Sequence, residues 1–422
     1  MPTYNWKTGV DPNQICQRLE QYRQRDERGR VVYESFQFLT DKVVLGEMFD
    51  FDEQIKGQDK EKIITNAIFS VGKKGKITPT KLRNTINKLI REYHEIENKK
   101  YVFIASLSIS SSFMLEKRVI NGTTITFHTK LDKAFNNAYN QKLDESRQIF
   151  QGDFPSNYLY IKLFVNAKSP NHANVKASNS LGLLRGIWNL GLNKDRGIRT
   201  TFKGPSPPLN QIILGPIQTL HEKNGKLATE SFWYQPEYQK PLRVYKKTQQ
   251  FPSLMRYEKN VRKIIKNHNY RADIEEAIIR YVDALDLYNF HDSFIRLWGL
   301  LETLTSNRND TQLETVKKTV FHFTSSDKDY VRQFLYVLSK FRNNAVHMGS
   351  NTQHIERFMQ MLKQCVEVVL QFHITNKFKF NSLKEATDFF GLTQTKEEYI
   401  KELALLKKNE KLLKNLKAYQ VW

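Results

Sequence analysis

The sequence predicts an α+β protein: an N-terminal mixed α and β region, residues 1–245, followed by an all-α helical bundle, residues 246–422. Three observations predict this. Up to about residue 245, helical spacing of apolar residues is interrupted by short runs rich in β-branched and aromatic residues. After Pro252 the helical spacing runs almost without a break. The chain's 422 residues are 40% hydrophobic and 12% aromatic, enough to build sizeable cores in two or three domains.

From Asp11 to about Ile96 the pattern is mostly helical, with breaks at Arg28-Gly29-Arg30 and around Gly72 to Lys76. Thr78-Pro79 reads as a helix start, because proline is tolerated in a first turn whose N–H groups lack partners. Residues 101–109, 123–128 and 158–165 read as strands, the second after an Asn121-Gly122 turn. A helix over 173–190 carries Leu181, Leu184, Ile187 and Trp188 on one side. Gly204-Pro205-Ser206-Pro207-Pro208 breaks the chain, and a hairpin-like stretch ends at Ser231 to Tyr234. The bundle should use helices at 254–268, 274–286, 293–304, 313–323, 329–348 and 355–372, joined antiparallel by short connections. Asp292 or Ser293 reads as the N-cap of the third. A further helix over 396–416 is amphipathic and net basic; solvated charge on an ordinary helix is its simplest account.

Lys+Arg exceed Asp+Glu by 66 − 44 = 22, and the sequence pI is near 9.6. Such an excess points to an anionic partner, most often a nucleic acid. Cys16 and Cys365 lie far apart, which argues for a reducing cytoplasmic setting and against a disulfide framework or a zinc cluster. The first residues lack the apolar stretch of a signal peptide, and no apolar run has the length of a membrane span. No P-loop, dinucleotide fingerprint or metal motif occurs, so no cofactor or metal is expected.

The chemistry concentrates in Phe341-Arg342-Asn343-Asn344-Ala345-Val346-His347. Along this helix Val331, Phe334, Leu335, Leu338, Phe341 and Ala345 recur at helical spacing, and Arg342 falls within their stripe. Asn343 and His347, four residues apart, share a neighbouring face. A cation on a core-facing stripe needs a partner. Glu302, an acid inside the apolar helix Leu297-Trp298-Gly299-Leu300-Leu301-Glu302-Thr303-Leu304, could supply it. Arg342 is then expected to be largely buried near Glu302 or near the matching site of a second copy, with His347 more exposed. The Arg–His spacing alone is common: Arg262 and His268 form a second instance, where Glu258 one turn earlier makes Arg262 read as part of a solvated face. The other histidines read as structural, and Trp188, Trp233 and Tyr234 as core packing in preference to stacking on bases.

The 297–304 helix together with Arg342-Asn343-Asn344-Ala345-Val346-His347 resembles the HEPN family of helical nucleases, and most closely the ApeA-like HEPN domains of prokaryotic phage-defence proteins. The resemblance covers roughly residues 255–375. It implies a metal-independent endoribonuclease, of toxin or antiviral (abortive-infection) type, working as a homodimer through the bundle so that Arg and His of both copies meet in one cleft. In that family pattern His347 acts as general acid and base, Arg342 binds the scissile phosphate, and Asn343 orients the phosphate or the imidazole. Glu302 is a supporting residue. The products are a 2′,3′-cyclic phosphate and a 5′-hydroxyl. The expected partners are substrate RNA, a second copy, and a trigger or antitoxin, without a membrane, and the N-terminal region is expected to sense a trigger or to guide substrate. The alternative is a catalytically silent HEPN module that binds RNA or a protein.

Overall fold

The computed structural model describes residues 3–33, 35–52, 55–113, 115–148, 157–194, 208–235, 238, 244–306, 310–324, 326–348, 355–392 and 396–419; the side chains of 113, 344–348 and 418–419 lie outside that description. The protein is α+β, with a helical C-terminal region, and its chain divides into two compact units. The first comprises Met1–Leu107, Met114–Leu181 and Leu214–Tyr238; the second comprises Ser108–Phe113, Gly182–Ile213 and Gln239–Trp422.

The first unit opens with α1 (Asn13–Tyr22), a hairpin of β1 (Arg23–Arg25) and β2 (Val31–Tyr33), then α2 (Phe36–Met48), α3 (Gln58–Lys74) and α4 (Pro79–Glu95). The helices enclose a core that includes Leu19, Leu45, Ile64, Ile68, Leu82 and Ile86. Thr78 caps α4, its hydroxyl accepting from the Lys81 N–H at 3.4 Å, with Pro79 in the first turn as the sequence predicts. The rest of the unit is a six-stranded antiparallel sheet of β3 (Lys99–Leu107), β4 (Arg118–Ile120), β5 (Thr123–His128), β6 (Leu159–Ala167), β7 (Ile217–Glu222) and β8 (Trp233–Tyr234). Their spatial order is β4-β5-β6-β3-β7-β8, and α5 (Lys133–Ser146) packs on the sheet. The β4–β5 turn needs positive φ at both central residues, and Asn121 (49°) and Gly122 (76°) adopt it. Trp233 is half-buried and Tyr234 exposed, so neither is the core residue the sequence suggests; both lie on the two-residue strand β8, which ends the sheet among the described residues.

Helix α6 (Pro170–Asn193) starts in the first unit and enters the second at Gly182. There it joins α7 (Phe251–Lys266), α8 (Arg271–Leu285), α9 (Phe290–Thr305), α10 (Gln312–Val320), α11 (Lys328–Met348), α12 (Ile355–Thr375), α13 (Leu383–Phe390) and α14 (Lys396–Tyr419). A Cβ at Gly186 would lie 2.9 Å from the Ile278 carbonyl oxygen, so this residue lets α6 and α8 approach backbone to backbone. Trp188 is fully buried and donates its indole N–H to Glu258 on α7 at 3.0 Å. Asn210 donates to the Val282 carbonyl at 2.6 Å. These bonds explain why residues 182–213 group with the helices, whereas the sequence places a single boundary near residue 245.

Helix α9 is the centre of this unit. Phe294, Leu297, Trp298, Leu300, Leu301 and Leu304 are all buried, and α9 packs against α8, α10, α11 and α12. Its N-cap is Asn289, whose side chain accepts from the His291 N–H at 2.9 Å. The cap falls three to four residues before the Asp292 or Ser293 expected, because the helix extends N-terminally to bury Phe290.

Candidate functional site

The Arg342 segment is set by aromatic packing one residue earlier. Phe341 meets Phe294 of α9 (ring centroids 5.0 Å apart) and Phe358 of α12 (5.3 Å), with the His291 ring at 6.4 Å. Two elements, α9 and α12, therefore fix the rotation of α11 at this point. The apolar stripe predicted from sequence is buried at Val331, Leu335 and Leu338, and thins to the half-buried Phe334 and Phe341.

Arg342 reaches Glu302: Nη2 lies 3.9 Å from Oε2. This is ion-pair range but too long for a hydrogen bond. Both side chains are 30% exposed, so Arg342 is not largely buried as its place on the stripe suggests. Its length accounts for the difference, since the methylene stem follows the apolar surface while the guanidinium extends towards water. Glu302 is held from its other oxygen. Trp298, fully buried, donates its indole N–H to Oε1 at 2.8 Å. The two residues sit one turn apart on α9, so one helix supplies both the acid and its anchor.

Asn343 is exposed, and its carboxamide is oriented by two donors. Gln312, the first residue of α10, donates Nε2–H to Oδ1 at 2.6 Å, and Arg342 Nη1 lies 3.4 Å from the same oxygen. Since the guanidinium can only donate, Oδ1 must face it, and the amide NH2 of Asn343 points away as a donor. The backbone of His347 lies in the last turn of α11, five residues beyond Arg342; its side chain, and those of Asn344 to Val346, lie outside the described residues.

The site thus brings together Arg342, Asn343, Glu302 and two residues the sequence reading did not single out for it, Trp298 as anchor and Gln312. Trp298 was legible as an i, i+4 partner of Glu302. Gln312 carried no local signal, because its role depends on how α10 meets α11. Chemically, the group offers a half-exposed guanidinium next to an outward amide donor, which suits a phosphate oxyanion. Among the described residues, no His, Cys, Asp and Glu side chains cluster as a metal site.

The second Arg–His instance is structural. Arg262 Nε lies 3.2 Å from Glu258, which is buried beneath Trp188 on the inner face of α7, so this is not the solvated pair that the sequence suggests. His268 Nε2 bonds to the His373 carbonyl at 2.8 Å. His373 is itself enclosed, with Nε2 2.7 Å from the Leu304 carbonyl and Nδ1 3.1 Å from the Tyr270 hydroxyl. Burial pushes its imidazole down to about 4. In the first unit, His128 pairs with Thr126 at 2.7 Å. A cavity of about 750 Å³ there is lined by Asp59, Tyr93, Tyr101 and Lys168, among others; the Tyr93 and Ser169 hydroxyls donate to Asp59, and Lys168 to the Tyr93 and His94 carbonyls.

Compared with known proteins, the chain matches no family model, and neither a characterised protein nor a solved structure matches it. No helix among the described residues is long and apolar enough to cross a membrane.

Proposed function

We propose that this chain is a metal-independent endoribonuclease of toxin or antiviral type, with its active site on α11. One observation carries the reading: Arg342 is positioned but not saturated. Its guanidinium sits at 3.9 Å from a carboxylate that a buried tryptophan anchors, and both side chains remain 30% exposed. A purely structural arginine at this place would close on Glu302 as a bidentate, hydrogen-bonded pair. The basic composition, with a net charge of +22, favours an RNA substrate, and the resemblance of this segment to the HEPN pattern adds the position of His347.

In this mechanism the 2′-hydroxyl attacks the adjacent phosphorus, and the bond to the 5′-oxygen breaks. His347 takes the 2′-OH proton, and an imidazolium returns one to the departing 5′-oxygen. The RNA is left with a 2′,3′-cyclic phosphate and a 5′-hydroxyl, with no water consumed in this step. Arg342 stabilises the charge that grows on the non-bridging oxygens, and the outward amide of Asn343 donates to the same phosphate. A second copy would complete a shared cleft.

The test is incubation of total RNA with the full chain in EDTA, followed by sequencing of RNA ends from wild type, Arg342→Ala and His347→Ala. Wild type should give ends bearing 2′,3′-cyclic phosphate, and both variants should lose them. Cleavage that persists in His347→Ala removes this mechanism. RNA binding without cleavage by any form assigns the chain to the silent binding module instead.

A further inference from the structure

No residue of the α11 site lines the cavity of the first unit. Its volume, about 750 Å³, is in the range that holds a small organic ligand. Two helices wall it, each with residues at the spacing of one helical face: α3 with Asp59, Lys62 and Ile63, α4 with Leu89, Glu92 and Tyr93. Ile96, just past α4, continues the second wall. The start of β3 adds Lys99 and Lys100, and the β6–α6 junction adds Lys168 and Ser169. Every one of these residues belongs to the first unit.

Asp59 is 9% exposed. Its Oδ2 accepts from both the Tyr93 and the Ser169 hydroxyls. Ser169 in turn accepts from the His172 N–H at 2.9 Å, which leaves its own hydrogen for Asp59. Burial, and next the Asp59 charge, push the pKa of the Tyr93 hydroxyl up and keep it a donor. Among the described residues no donor meets Oδ1, and no cation lies within ion-pair range of the carboxylate. The lysines around the cavity lack carboxylate partners as well. Lys62, Lys99 and Lys100 are exposed and make no ion pair among the described residues. Lys168 donates to the Tyr93 and His94 carbonyls at 3.3 and 2.6 Å. Two other carboxylates line the cavity, both exposed: Glu92 is 3.5 Å from Lys88, and Glu222 accepts from Asn224 at 3.5 Å. A purely structural Asp59 at this depth would draw one of the lysines into a hydrogen-bonded pair. Held apart around a cavity, acceptor and ammonium groups suit a ligand that has both a hydroxyl donor and an anionic group.

Ile63, Leu89 and Ile96 add an apolar surface, of which Ile96 is 44% exposed. A ribonucleotide has a counterpart to all three features: hydroxyls for Asp59, a phosphate for the lysines and a base for the apolar wall. Ribose 5-phosphate lacks the base, and inorganic phosphate lacks the sugar too. We propose that the cavity binds a ribonucleotide: a ribose hydroxyl donates to Asp59 Oδ1, the phosphate meets Lys62, Lys99 and Lys100, and the base covers Ile63, Leu89 and Ile96. The proposal does not depend on the ribonuclease reading, because its readout is binding, not cleavage, at residues outside the α11 site.

Calorimetric titration of the full chain with the ribonucleoside 5′-monophosphates and 5′-triphosphates tests it, beside their 2′,3′-dideoxy counterparts, ribose 5-phosphate and inorganic phosphate. At least one ribonucleotide should bind, one per chain, with a Kd below about 1 mM at about 0.15 M salt. Its dideoxy counterpart, ribose 5-phosphate and inorganic phosphate should each bind about tenfold more weakly or worse. Lys99→Glu with Lys100→Glu should weaken binding of that ribonucleotide about tenfold or more, since two attractive charges become repulsive. Both positions are exposed, so far-ultraviolet circular dichroism should find that variant folded. Asp59→Asn should erase the preference for ribose over dideoxyribose; were this variant to unfold, the preference of wild type reads the same contact. No ribonucleotide bound below about 1 mM overturns the proposal. So does a ribonucleotide bound no tighter than its dideoxy counterpart, ribose 5-phosphate or inorganic phosphate. A nucleotide that is lost with Arg342→Ala and kept by the lysine variant sits at the α11 site, which overturns the proposal and leaves the cleavage reading standing.

Discussion

If Arg342 is kept for a substrate and not for Glu302, its removal should separate stability from activity. At 3.9 Å the Coulomb energy of the pair is about 1 kcal/mol at the dielectric of water and about 4 kcal/mol at an effective value near 20. Both side chains are 30% exposed and no hydrogen bond closes between them, so the net contribution belongs at the exposed end, about 0.5–1 kcal/mol. Arg342→Gln and Glu302→Gln should therefore each cost about 1 kcal/mol or less in urea unfolding, with a coupling energy in the double variant of the same size. Cleavage should respond very differently. An arginine on the developing phosphorane charge contributes on the order of 3–4 kcal/mol, so Arg342→Gln should slow cleavage about 10²- to 10³-fold. Glu302→Gln, which only loosens the guanidinium, should slow it by roughly three- to tenfold. The refuting pattern is equally definite. A stability loss above about 3 kcal/mol for Arg342→Gln, matched by Glu302→Gln and accompanied by unchanged cleavage, would make Arg342 the buried counter-ion that the stripe of apolar residues first suggests.

Two further predictions concern the helical unit. His373 is buried neutral, its pKa lowered from the ordinary 6.5 to about 4, so its contribution is intact above pH 6.5 and is lost as pH falls towards 4. Between pH 7.5 and 5 that amounts to about 2 kcal/mol, an average of about 0.8 kcal/mol per pH unit, and His373→Gln should remove about that much from the slope of unfolding free energy over the window; an unchanged slope would refute it. Lys363 is buried, donates to the Asn193 carbonyl at 2.7 Å and pairs with Glu367 at 2.9 Å, so Lys363→Met should cost about 3 kcal/mol in urea unfolding by removing the cation beside the Glu367 carboxylate, which keeps the Tyr281 hydroxyl as a donor, and Lys363→Met with Glu367→Gln should recover part of it.

How much of this was legible in the sequence depends on how local the signal is. The strand at 123–128, the Thr78-Pro79 start and the long helices of the bundle follow from spacing and capping chemistry, and they stand where periodicity puts them. The short α13 and the three-residue β4 escaped, because elements of that length hold too few apolar residues to establish a period. The grouping of Gly182–Ile213 with the helices has no local signature, because Trp188 bonds to Glu258 and Asn210 to Val282, some 70 positions away.

The candidate site divides along the same line. Arg342, Asn343 and Glu302 were found because a charge interrupting an apolar stripe is visible in one dimension. What holds them was not: the Phe341 packing, the Gln312 donor and the 3.9 Å gap are set by how α9, α10, α11 and α12 meet. That gap is the more informative quantity. A charge on an apolar stripe says only that some partner exists, and a fully closed ion pair would have satisfied it at the cost of any further role. Here the carboxylate is held on its other oxygen by Trp298 and the amide by Gln312, so the guanidinium keeps one long hydrogen bond to Asn343 at 3.4 Å and no hydrogen bond to Glu302. An arrangement of that kind is what binding a second anion requires, and it is why the stability of this pair and the chemistry of this site should prove separable.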